Sequence, residues 1–142
     1  MKEFVIDASA ALSWLAPTQA TASSAVFLQT RRESRLVAPH IFNWEVGNTL
    51  IGLQRRRLLS TAALEQALVD LRAFDVFVAL PMSPSEIEDL ALIAREWSLS
   101  LFDSAYLQLA LERDFALVSR DSQLLTVAGS EGLECVDLRE AA

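Results

Sequence analysis

Five short apolar runs, each separated from the next by helix-forming sequence, constrain this fold most. They cover Glu3 to Ile6, Arg35 to Ala38, Asp75 to Leu80, Phe115 to Ser119 and Leu133 to Asp137. Each is rich in aliphatic, β-branched or aromatic residues, which predicts a strand. The intervening segments predict helices over Ala8–Leu15, Thr18–Arg32, Phe42–Arg57, Ser60–Phe74, Ser83 or Ser85 to Trp97, Ser100 or Asp103 to Arg113, and Ser122–Ala128. Pro17 ends the first of these, because proline bars the residue before it from helix. Ser60 is a suitable N-cap for the fourth. The strands are continuous apolar runs rather than alternating ones, so both faces of their sheet must be covered. The expected fold class is α/β, a three-layer α/β/α sandwich with a mostly parallel central sheet. Pattern alone does not give the strand order.

The chain has 142 residues, which predicts a single domain over residues 1–142 with one core. No stretch reaches the roughly 18 apolar residues of a membrane span. The start, MKEFVID, lacks the three regions of a secretory leader, and the expectation is a cytoplasmic protein away from membranes. Cys135 is the only cysteine, so neither an internal disulfide nor a cysteine-cluster zinc site can form. In a strand it reads as a small buried hydrophobe.

Two strand runs stop at an aspartate. Asp7 follows FVI and Asp121 follows ALVSR. Both fall at the carboxyl edge of a parallel sheet, where open α/β sheets bind ligands. Each alone could simply cap the next helix. Two further acids sit in apolar helical surroundings: Glu45 in IFNWEVGNTL and Asp103 in LSLFDSAYLQLAL. Asp103 also has a local explanation, a capping arrangement with Ser100. Brought together by the sheet, four carboxylates would oppose one another's ionisation. A divalent cation resolves that conflict. Oxygen ligands without histidine or cysteine suit Mg²⁺ or Mn²⁺ rather than zinc. Mg²⁺ binds through few carboxylates together with substrate phosphate, as phosphodiester hydrolysis requires.

The segments VIDASAAL, VAPHIFNWEVGNTL, LSLFDSAYLQLAL and ALVSRDSQLL, in that order, resemble the successive signatures of PIN-domain proteins, in particular VapC-type ribonuclease toxins. The resemblance covers nearly the whole chain. It implies a metal-dependent endoribonuclease that hydrolyses RNA, a cognate antitoxin protein that inhibits it, and a homodimer. It assigns Asp7, Glu45, Asp103 and Asp121 as catalytic acids and metal ligands, with Glu45 acting directly or through water. Ser9 and Ser119 match hydroxyl positions that support the acids. Ser119 stands where the family most often has threonine, a departure that keeps the hydroxyl. Asn48 matches a frequent polar position after the glutamate. Tyr106 matches a common aromatic, expected to serve packing.

The formal net charge of −7 is unfavourable for binding nucleic acid. Arginines cluster at Arg31, Arg32 and Arg35 and at Arg55, Arg56 and Arg57, and these clusters could offset it. His40 follows Pro39 with no acid or nucleophile motif beside it and reads as incidental. Trp14, Trp44 and Trp97 are expected in core or interface packing. The helical surface around Leu12, Trp14 and Leu15 is a candidate antitoxin groove. Two other readings stand beside the nuclease. A non-catalytic binding module on the same fold would have lost its metal. An Mg²⁺-binding receiver-type signalling domain needs a lysine after a late strand, whereas Lys2 is the only lysine.

Overall fold

The computed structural model describes residues 1–31 and 33–139. Five strands form one sheet: β1 (Lys2–Ile6), β2 (Ser34–Ala38), β3 (Val76–Val78), β4 (Ala116–Ser119) and β5 (Cys135–Asp137). Every pairing is parallel, and the order is β3-β2-β1-β4-β5. A receiver-type domain has the order 2-1-3-4-5. The observed order removes that reading.

Seven helices connect the strands among the described residues. They are α1 (Ala8–Leu15), α2 (Ala22–Thr30), α3 (Phe42–Arg55), α4 (Thr61–Ala73), α5 (Pro84–Trp97), α6 (Leu101–Arg113) and α7 (Ser122–Ser130). The helix expected over Thr18–Arg32 is two pieces, a 3-10 turn at Pro17–Gln19 and then α2. Thr21 and Ser24 close a capping box between them, which fixes the start of α2. The caps Ser60, Ser83, Ser100 and Asp121 stand where the sequence puts them.

Successive strand residues face opposite sides of a sheet. Val5 and Ile6, Leu36 and Val37, and Leu117 and Val118 are all buried, so helices cover both faces. Helices α1 to α4 pack among themselves, and α6 packs on α5 and α7. Trp14 ties the first group together. Its ring stacks on Phe27 and Phe74, centroids 5.6 and 5.7 Å away. Its indole nitrogen donates to the Ser24 carbonyl at 2.9 Å. Leu12 and Leu15 are core residues. This α1 surface is therefore filled by α2 and the end of α4, which corrects its expectation as an open antitoxin groove.

The chain steps from β1 out to β2 and β3, then returns past β1 to β4 and β5. Strand order thus reverses between β1 and β4, the switch point at which such sheets open a crevice. No helix among the described residues is long and apolar enough to cross a membrane.

Candidate functional site

Asp7 leaves β1 and caps α1, while Ser119, Arg120 and Asp121 leave β4 and cap α7. These two exits flank the switch point. They are joined by side chains. Asp7 Oδ1 accepts from the Ala10 amide at 2.8 Å and the Ser9 hydroxyl at 2.7 Å. Asp7 Oδ2 accepts from the Ser119 hydroxyl at 2.5 Å. Ser9 Oγ in turn accepts from the Arg120 amide, and Ser119 Oγ from the Asp121 amide, both at 2.9 Å. Ser119 reaches across to donate to Asp7, and Ser9 reaches back to accept from Arg120, so the pair welds the two strand ends around one carboxylate.

The other two acids arrive on helices. Glu45 lies in the first turn of α3 and accepts the Tyr106 hydroxyl proton at 2.7 Å on Oε1. Asp103 lies in the first turn of α6, its amide donating to the capping Ser100 hydroxyl at 3.0 Å. Asp121 Oδ1 accepts from the Leu124 amide at 2.9 Å. Asp7, Glu45, Asp103 and Asp121 line one cleft of about 170 Å³, with Ser9, Thr49 and Tyr106. The capping role and the cleft role therefore coexist in Asp7 and Asp121.

The electrostatics match this crowding. Asp7 is 3% exposed, and burial pushes its carboxyl up to about 6 against three lowering hydrogen bonds. Asp103 is pushed up to about 6 by partial burial, then by the charges of Asp121 and Glu45. The sequence suggested mutual repulsion as the main cost. For both groups loss of water is the larger cause.

The profile of the PIN domain family matches residues 4–130. The chain belongs to the PIN domain family. It is 33% identical over 142 residues to Ribonuclease VapC1 of Mycobacterium tuberculosis, covering 95% of this chain and 96% of that protein. Solved structures share the fold. PAE2754 from Pyrobaculum aerophilum superposes with a TM-score of 0.63 at 21% identity, over 95% of this chain and 90% of its own. VapC20 from M. tuberculosis, described as a sarcin-ricin loop cleaving toxin, gives a TM-score of 0.57 at 16% identity, over 87% and 93%. FitAcB from Neisseria gonorrhoeae gives 0.58 at 15%, over 94% and 96%.

In this PIN domain the donor set can be tested against a divalent cation. The four acids offer only hard oxygen. Glu45 spends Oε1 on Tyr106 and Asp121 spends Oδ1 on its own helix, which leaves the second oxygen of each without a described protein donor. Among the described residues, no three acidic, histidine or cysteine side chains form a group poised to hold a metal ion. A cation that keeps part of its water shell needs no closed set, and Mg²⁺ behaves this way. The oxygen-only donor chemistry of the four acids is the kind such an ion takes.

Two neighbours of the acids differ from expectation. Asn48 is exposed and lies outside the lining; Thr49, one position on, takes the place by the cleft. Tyr106 does more than pack. Its ring is fully buried, and its hydroxyl holds Glu45. Burial and the charge of Glu45 both push the phenol up, so it stays a proton donor. The hint in sequence was a lone tyrosine three residues after an acid in an otherwise oily helix. We predict that Tyr106→Phe lowers cleavage by about 10–100-fold, as loss of a ligand's orienting partner usually does. The check is kcat on RNA together with a melting curve; full activity would return Tyr106 to a packing role. His40 is exposed and outside the acid cleft. Trp97 is half-buried against the core, whereas Trp44 is 76% exposed and is no part of the core.

Proposed function

We propose that this PIN domain, taken as one unit over residues 1–142, is a divalent-metal-dependent endoribonuclease and the toxin of a toxin–antitoxin pair. The observation that carries the reading is the cleft itself. Four carboxylates meet at the strand-order reversal, and two of them are held near 6 by burial and by other acids. The relationship to Ribonuclease VapC1 supports RNA as substrate. Asp7, Asp103 and Asp121 would hold Mg²⁺ or Mn²⁺, and Glu45 would join directly or through water. When bound, such an ion lowers the pKa of a coordinated water and offsets charge developing on the phosphate.

The chain's own groups prepare that chemistry. Ser9 and Ser119 fix both oxygens of Asp7, so its carboxylate cannot rotate away. Tyr106 fixes Glu45 across the cleft. Burial keeps competing water from Asp7. Partners are proposed as the resemblance implies, a cognate antitoxin and a second copy of this chain. An exposed apolar surface containing Phe77, Leu80, Ile87, Leu101 and Phe102 supports protein contact there.

A metal titration tests the site without RNA. Saturating Mn²⁺ should raise the melting temperature by about 5–10 °C, since a ligand at a hundred times its Kd adds about 2.7 kcal/mol. Asp121→Asn should lose most of that rise. No rise in the parent at millimolar Mn²⁺ would favour the inert binding module.

A further inference from the structure

None of the described arginines of the two clusters lines the acid cleft. Arg35 pairs with Glu3 near the starts of β2 and β1, the opposite edge of the sheet. Arg31 donates to Ser34, the first residue of β2. Arg55 lies ten residues past Glu45 on α3, about 15 Å along the axis at 1.5 Å per residue. Arg32 lies outside the described residues. Arg139 follows β5 at the carboxyl edge but is already paired with Asp137 at 2.6 Å. The described clustered arginines therefore do not supply a cation at the cleft lining.

One isolated arginine stands where they do not. Arg120 is chain-linked to Ser119 and Asp121, and its amide donates to Ser9 Oγ, which itself donates to Asp7. Its backbone is one hydroxyl away from the buried carboxylate. Its side chain nevertheless does not fold back onto the acids. Nη1 donates instead to the neutral Gln19 Oε1 at 3.0 Å, in the turn that follows α1. A flexible arginine beside several carboxylates would ordinarily pair with one of them. Here Gln19 carries it along α1, set back from the cleft. The acids stay free for a cation, and the guanidinium, half-buried with one of its five donors described as taken, stays free for an anion.

We propose that Arg120, oriented by Gln19, binds an RNA phosphate flanking the scissile one and so positions the strand across the acid cleft. The inference rests on the ribonuclease reading and adds a positioning residue to it. Because the guanidinium is held by Gln19 and not by the acids, a flanking phosphate is the one assigned to it. Arginine suits the task because its planar fork meets phosphate oxygens in pairs.

A contact made equally before and during cleavage changes KM and leaves kcat. Arg120→Gln should therefore raise KM for a short fluorescein-labelled single-stranded RNA by about 10-fold, the scale of one charged hydrogen-bonding contact. Its kcat should stay within about twofold. In an Asp7→Asn background, where RNA is bound but not cut, the plot of log Kd against log salt should lose about 0.7 of its slope per lost phosphate contact. Arg120→Lys should keep that slope, because the charge remains. Gln19→Ala should keep it too while weakening binding, since only the orientation is lost. If Arg120→Gln lowers the melting temperature yet leaves KM and the salt slope at parental values, the arginine merely ties β4 to the turn and the proposal is overturned. If the parent neither binds nor cuts RNA with metal present, the ribonuclease reading falls and takes this inference with it.

Discussion

Asp7→Asn should lower RNA cleavage by about a thousandfold or more and leave the protein folded. The size is that expected if Asp7 holds the proposed cation, which would supply several kcal/mol of transition-state stabilisation, at 1.36 kcal/mol for each factor of ten. The fold survives because asparagine can keep the local bonds. Its carbonyl oxygen can still accept from the Ala10 amide and the Ser9 hydroxyl, as Oδ1 does now. Its amide can meet the Ser119 hydroxyl, which can turn to accept. Circular dichroism and a melting curve would establish that the fold is kept. Near-parental cleavage by a pure, folded Asp7→Asn protein would remove Asp7 from the site.

The same substitution should act in the opposite direction on stability when metal is absent. Asp7 is raised from its ordinary value of 3.8 to about 6, mainly by burial. Its folded form then binds the proton more tightly than the unfolded chain does. The associated stability is present at low pH and is lost as pH rises from near 4 through about 6. Over that window the loss amounts to about 3 kcal/mol at 1.36 kcal/mol per unit. Asp103 shifts the same way, with a smaller effect because solvent screens it. The difference between parent and Asp7→Asn cancels the other groups. In EDTA, urea unfolding should show Asp7→Asn gaining on the parent by about that amount between pH 4 and pH 7. A difference that stays flat with pH would mean that Asp7 is not held near 6.

Much of this was legible in the sequence because the signals were local. Apolar runs marked all five strands, and hydroxyl or aspartate caps marked where helices begin. The four acids were legible because each stood in an apolar context that a solvated surface does not explain. What was hidden depended on which faces meet. An apolar stripe on α1 looks the same whether it is open or covered, and only the stack of Phe27 and Phe74 on Trp14 decides. The order β3-β2-β1-β4-β5 is a choice among topologies with identical patterns. Tyr106 read as packing because its partner, Glu45, is 61 residues away in the chain. Arginines grouped in sequence drew attention from Arg120, whose importance comes from the strand end that carries it.

The acids also show why the sequence-level account of crowding needed revision. Repulsion was visible as a count of charges, but burial was not. The Ser119 hydroxyl reaches Asp7, and the Arg120 amide reaches Ser9, because β1 and β4 are adjacent. That adjacency converts two ordinary helix caps into one half of a cleft.

The central claim is that these four carboxylates run a metal-dependent cleavage of RNA. Its most direct test is RNA cleavage by the purified parent protein with Mg²⁺ or Mn²⁺, after EDTA, and after metal is restored in excess. The expected result is cleavage with metal, none in EDTA, recovery on restoration, and none at any stage from Asp7→Asn run in parallel. Cleavage that persists in EDTA, or that Asp7→Asn shares with the parent, would contradict it.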